Sequence, residues 1–135
     1  MKNPQAEAPR WIAQARDDLQ FVRRILEEDN FYDKGCFMAQ QSAEKALKAC
    51  LYNDGERTVL GHSVAELVNR VSARHSSFKS LEKEARLLDR FYIPTRYPNG
   101  LPGGIPFETF VLEDLEQAVS MAEKIISAVE GILVD

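Results

Sequence analysis

Cysteine and histidine are scarce in this chain, with two of each among 135 residues. Cys36 and Cys50 stand 14 positions apart in a stretch that reads as one helix, which separates them by about 21 Å and excludes a disulfide between them. His62 and His75 fall at no zinc-ligand spacing with either cysteine, so the pattern points to no metal and no cofactor. Long apolar runs are missing too. None approaches the roughly 20 residues that a membrane helix needs, and the opening MKNPQAEAPR has no apolar leader, so the expectation is a cytoplasmic protein with no membrane partner. Basic residues number 17 against 21 acidic ones, for a net charge of −4. That balance argues against wrapping duplex DNA by bulk electrostatics, while a local basic patch remains compatible with phosphate contact. No segment shows strand alternation, and no repeat or low-complexity tract interrupts the chain.

The length suits one domain spanning residues 1–135, with hydrophobic content of 44% and charged content of 28%, ordinary for a globular protein with a real core. Helical periodicity accounts for most of it. A first helix is predicted over about residues 8–28, with Pro9 in its first turn and Trp11, Ala15, Leu19, Val22, Ile25 and Leu26 on its buried stripe. A short turn leads to the stretch 35–51, GCFMAQQSAEKALKACL. There Cys36, Ala39, Ala43, Ala46, Leu47 and Cys50 share one broad apolar arc, and Gln41, Glu44 and Lys48 line up beside it. So short a connection makes the two helices pack antiparallel.

Ser63 and Glu66 have the spacing of a capping box, which predicts a third helix over about 64–74. A fourth begins near Ser77 with Phe78, Leu81, Ala85, Leu88 and Tyr92 on its apolar face, and Pro94 stops it. From 93 to about 109 the prolines Pro94, Pro98, Pro102 and Pro106 recur every fourth residue among glycines. The reading is an ordered loop without helix or strand, anchored by Tyr97, Phe107 and Phe110. A last helix from about 110 to 133 carries Leu115, Ala118, Val119, Ala122, Ile125, Ile126, Val129 and Leu133 as a wide stripe. The fold class is therefore all-α: an up-and-down helical bundle of about five helices, with a long Pro/Gly-rich loop before the last.

Three groups of residues are candidates for chemistry. Gln41, Glu44 and Lys48 put an amide, a carboxylate and an ammonium on one helix face, able to orient a polar or anionic ligand; an exposed Glu–Lys pair four apart is equally a common solvated surface. His62 follows Gly61 just before the predicted cap, with Arg57 five residues upstream. An imidazole can work as acid or base near neutral pH and a guanidinium can grip phosphate, yet Arg70 and His75 show the same interval. Arg96, beside Tyr97 and between two prolines, would lose little entropy on gripping an anion.

Taken together, AQQSAEKALKA at 39–49, then Gly61, His62 and Ser63 followed by Leu67, then YIPTRYP at 92–98, and a closing helix with Ala118 and Ala122 resemble the HEPN domain family. The resemblance runs from Trp11 to Leu133. It implies a helical bundle that usually forms a homodimer with a cleft near the twofold axis, often encoded beside a minimal nucleotidyltransferase partner in a two-gene toxin–antitoxin-like module. Nucleotide or RNA binding is the common theme, and the recurrent polar positions correspond here to Gln41, Glu44, Lys48, His62, Arg96 and Tyr97. Many members are metal-independent ribonucleases with an arginine and a histidine separated by four to six intervening residues on a later helix. After Arg96 those places hold Leu101, Pro102 and Gly103, and no histidine follows His75; Arg57 and His62 meet the spacing but lie earlier. The resemblance thus favours a binding module in which Lys48 and Arg96 hold phosphate, Gln41 and Tyr97 meet base or ribose, Glu44 orients Lys48 and His62 shapes the pocket. The alternatives are a ribonuclease using His62 with an arginine, and a purely structural dimerisation module.

Overall fold

The computed structural model describes residues 3–134, and no strand occurs among them. Helix α1 spans Pro4–Glu28. It starts earlier than the apolar stripe alone suggests because the Asn3 side chain accepts a hydrogen bond from the Gln5 amide, 3.1 Å, and Pro4 fits the first helical position. Pro9 consequently lies inside the helix rather than in its first turn, on an exposed face. The turn that follows is very tight. Asp29 ends α1 at φ 54° and Phe31 precedes α2 at φ 58°, left-handed conformations that let α2, Tyr32–Asn53, fold straight back along α1.

Helix α2 begins three residues before Gly35, which is buried against Ile25 of α1 and Leu115 of the last helix. A Cβ on Gly35 would stand 2.6 Å from Leu115 Cδ1 and 3.1 Å from Ile25 Cγ2. Small side chains continue this close approach along α2, where Cys36, Ala39, Ala43, Ala46, Ala49 and Cys50 are all fully buried. Both cysteines are free thiols, and burial pushes their pKa values up, to about 12 for Cys50. The last helix, α6, Leu112–Leu133, covers the other side of α2 with Leu115, Ala118, Ala122, Ile125 and Val129.

Helix α3, Val64–Ser72, is followed by a 3-10 helix, Ser76–Leu81, and by α4, Glu82–Asp89. The single helix expected from Ser77 onward is therefore split, with Leu81 at φ −98° and ψ 2° marking the change of winding. Phe78, Ala85 and Leu88 face the core as anticipated. The Pro/Gly-rich segment is also less structureless than its composition implies. It contains a 3-10 turn, Pro98–Gly100, and a short helix α5, Pro106–Thr109, each opened by a proline at a position where the missing N–H costs nothing. Of the expected anchors, Phe110 packs on Phe91, whereas Tyr97 is 51% and Phe107 62% exposed, and Thr95 and Pro106 are buried in their place.

One side chain sets where α3 begins. Asp89, the last residue of α4, accepts from the amides of Val64 (2.7 Å) and Ala65 (3.1 Å) and from the Ser63 hydroxyl (2.7 Å). Ser63 in turn accepts from the Glu66 amide at 3.1 Å, so the serine half of the predicted capping box is present. The fourth donor to Asp89 is the buried Gln40 amide of α2, at 3.3 Å. Replacing Asp89 by Asn substitutes a donor for one acceptor oxygen and leaves one of the two α3 amides without its partner. Asp89→Asn is expected to destabilise the protein by about 2 kcal/mol, read from the urea midpoint at unchanged m.

Candidate functional site

Glu44 and Lys48 lie one turn apart on α2, and the fold buries both. Their side chains are 6% and 7% exposed, and the ammonium sits 2.9 Å from Glu44 Oε2. Desolvating two charges is costly, and the pair persists because other groups share the load. Glu44 Oε1 accepts from Gln41 Nε2 at 3.1 Å, while the Lys48 ammonium lies 5.7 Å above the Trp11 ring. Lys48 therefore reaches the site through Glu44 rather than by pointing into solvent.

The carboxylate has a further partner. His62 Nδ1 stands 3.1 Å from Glu44 Oε2, and since a carboxylate only accepts, the Nδ1 proton is the one that fills this contact. Nε2 has no protein partner among the described residues, and the imidazole side chain is 62% exposed. The backbone of His62 is fixed as well. Its carbonyl accepts from Gln40 Nε2 at 2.7 Å, and Gln40 Oε1 accepts from Gln41 at 2.9 Å. Gly61 precedes it at φ 96°, a conformation that favours glycine and turns the chain so that His62 projects over α2.

Beyond His62 the site becomes aromatic. The imidazole stacks on Tyr92, centroids 5.4 Å apart and planes within 17°. Arg96 follows one turn later; its Nε donates to the Tyr92 carbonyl at 2.8 Å. The guanidinium lies 4.4 Å from the Phe37 ring, 4.6 Å from Tyr92 and 5.1 Å from Tyr97. A depression of about 350 Å³ opens beside this strip, lined by His62, Ser63, Glu66, Asp89 and Tyr92.

The structure thus brings together Gln41, Glu44, Lys48 and His62 in one hydrogen-bonded array, with Arg96 and Tyr97 joined to it through Tyr92. Arg57 stays apart: it is exposed, and among the described residues no hydrogen bond or ion pair links it to His62. Four contributors escaped the sequence reading, namely Gln40, Asp89, Phe37 and Tyr92. Gln40 had a signal, a polar residue abutting the apolar arc of α2. For Tyr92 the helical spacing points to a core face, but the helix ends at Asp89. Chemically, an exposed imidazole backed by a carboxylate can exchange a proton, a stacked ring can receive a base, and an arginine on aromatic faces can meet an anion.

Relatives of known sequence or structure match nearly the whole chain. Over 131 residues it is 26% identical to a candidate toxin of Methanocaldococcus jannaschii, covering 91% of this chain and 86% of that protein. The solved structure of a Thermus thermophilus protein superposes with a TM-score of 0.87 at 35% identity, covering 94% of this chain and 98% of the other. An archaeal HEPN homologue superposes with a TM-score of 0.76 at 32% identity, over 97% and 98% of the two chains. The HEPN domain profile matches residues 8–132, and with the all-α fold and these relatives it shows that the chain belongs to the HEPN domain family.

Proposed function

We propose that this HEPN domain is a nucleotide- or RNA-binding module whose contact surface is the strip formed by His62, Tyr92, Arg96 and Tyr97. The observation that carries this reading is the exposed imidazole stacked on Tyr92 with the Arg96 guanidinium one turn away. Aromatic faces accept any base, and a guanidinium held over aromatic rings is preorganised for phosphate. In this reading Arg96 meets phosphate, Tyr97 meets base or ribose, and Gln41, Glu44 and Lys48 hold His62 in place from behind. The module acts as a homodimer, beside a minimal nucleotidyltransferase partner in a toxin–antitoxin-like pair. Support for the toxin context comes from the name of the M. jannaschii relative. Support for self-association comes from exposed apolar side chains along 93–111, among them Ile93, Tyr97, Phe107 and Val111.

A second reading rests on the Glu44–His62 contact. A carboxylate that fixes one ring nitrogen and leaves the other open is the arrangement of a general acid or base, which suits ribonuclease chemistry at a ribose 2′-hydroxyl.

Fluorescence anisotropy with a labelled single-stranded RNA, and competition by ATP, tests the first reading. Arg96→Ala is expected to raise the Kd about tenfold or more, with a smaller change for His62→Ala; absence of binding by the unmodified protein removes this reading. Cleavage of the same RNA in the presence of chelator tests the second. His62→Ala should slow it by roughly 10²–10⁴-fold, and RNA left intact by the unmodified protein rules the ribonuclease out. For the dimer, Phe107→Ser is expected to shift the sedimentation-derived mass toward the monomer at micromolar concentration.

A further inference from the structure

Away from this surface, at the C-terminal end of α2, three further donors converge. The Cys50 sulfur, an Asp54 carboxylate oxygen and a His75 ring nitrogen all lie within 4.8 Å of one another. We propose that Cys50, Asp54 and His75 form a binding site for one zinc ion.

The backbone places these groups firmly. Cys50 and Asp54 stand one helical turn apart and so project from the same side of α2. Asp54 caps that helix, its amide bonded to the Cys50 carbonyl at 3.0 Å. Its own carbonyl accepts from Arg74 Nη1 at 2.7 Å, which commits that guanidinium to the main chain. His75 arrives from the far end of α3, its amide on the Val71 carbonyl at 2.9 Å, and its Nε2 stands 3.0 Å from both oxygens of Asp54. An aspartate–histidine pair alone would explain two of the three groups. It does not explain why the third donor beside them is a thiol.

The chemistry selects the ion. Tetrahedral zinc with bonds of roughly 2.0–2.3 Å keeps its ligand atoms about 3.3–3.8 Å apart, within a small adjustment of the spacing seen here. Thiolate and imidazole donors favour zinc over magnesium or calcium. Coordination removes the thiol proton, so thiolate, carboxylate and neutral imidazole together balance the two positive charges of the ion. That neutrality suits a place where Cys50 is fully buried. The Asp54 and His75 side chains are 10% and 20% exposed, which gives a water access to the fourth coordination position.

The test uses the full chain, stripped with chelator, dialysed and titrated with Co²⁺ as a spectroscopic substitute. One Co²⁺ per chain is expected, with a thiolate-to-cobalt charge-transfer band that Zn²⁺ displaces. At a hundredfold excess over its Kd, Zn²⁺ should raise the Tm by roughly 5–10 °C. Cys50→Ala loses the band, and His75→Gln weakens affinity about tenfold or more while its amide can still reach Asp54. Cys36→Ala, a buried cysteine elsewhere on α2, leaves band and affinity unchanged. Circular dichroism confirms that each variant is helical. A wild-type chain without the band overturns the proposal, as does a band that survives Cys50→Ala or an affinity untouched by His75→Gln.

Discussion

The free amides at the start of α3 must find acceptors, and that constraint organises this end of the molecule. Helix α3 has nine residues, too few to hold together without tertiary support. Its opening amides are met by Asp89 from α4, and Asp89 is itself gripped by Gln40 from α2. Three helices are thereby locked at one carboxylate. His62 lies two residues before the first amide so held, and Gln40 also takes its carbonyl. The bond that starts a helix therefore also fixes the position of the most exposed reactive side chain at the site.

A second constraint acts on the ring rather than the backbone. Burying Glu44 with Lys48 adds little to stability, because desolvation offsets most of the attraction. What the pair supplies is direction. With Lys48 on one side of the carboxylate and Gln41 on the other, Glu44 has few ways to turn, and the imidazole that bonds it inherits that order. Tyr92 limits the ring from its face. A side chain that is mostly in solvent is held in one orientation from two directions, which lowers the entropy lost when it engages a ligand.

Much of this is legible in the sequence, and what is not has physical causes. The apolar periodicities of α1, α2 and α6 located the core, since a stripe every three to four residues has no other use in a bundle. The grouping of Gln41, Glu44 and Lys48 followed from helix geometry alone. The burial of Glu44 and Lys48 did not, because it depends on tertiary neighbours, here His62 on Glu44 and Trp11 of α1 beneath Lys48. Asp89 acts across tertiary distance and has no local pattern, and Gln40 shows only as a polar residue beside the apolar arc of α2, which names no partner. The break between the 3-10 helix and α4 was hidden because Phe78, Leu81, Ala85 and Leu88 satisfy helical spacing on either side of it. Tyr97 and Phe107 show the opposite error: apolar character in a loop suggested anchoring, and the structure leaves both rings outward.

The two histidines, scarce in the sequence, occupy matching places in the fold. They flank α3, and each is held by a carboxylate from α2: His62 by Glu44 and His75 by Asp54. Both contacts tie α3 to α2, one at each end, so their first effect is structural. They differ in what surrounds them. At His62 the carboxylate is buried, the ring is open and the neighbours are aromatic and cationic, an environment suited to a ligand that arrives from solvent. At His75 the ring is sheltered and the neighbour one turn down α2 is a thiol, an environment suited to an ion held between the helices. The same interaction, histidine on carboxylate, leads toward different chemistry because exposure and the third group decide what can approach.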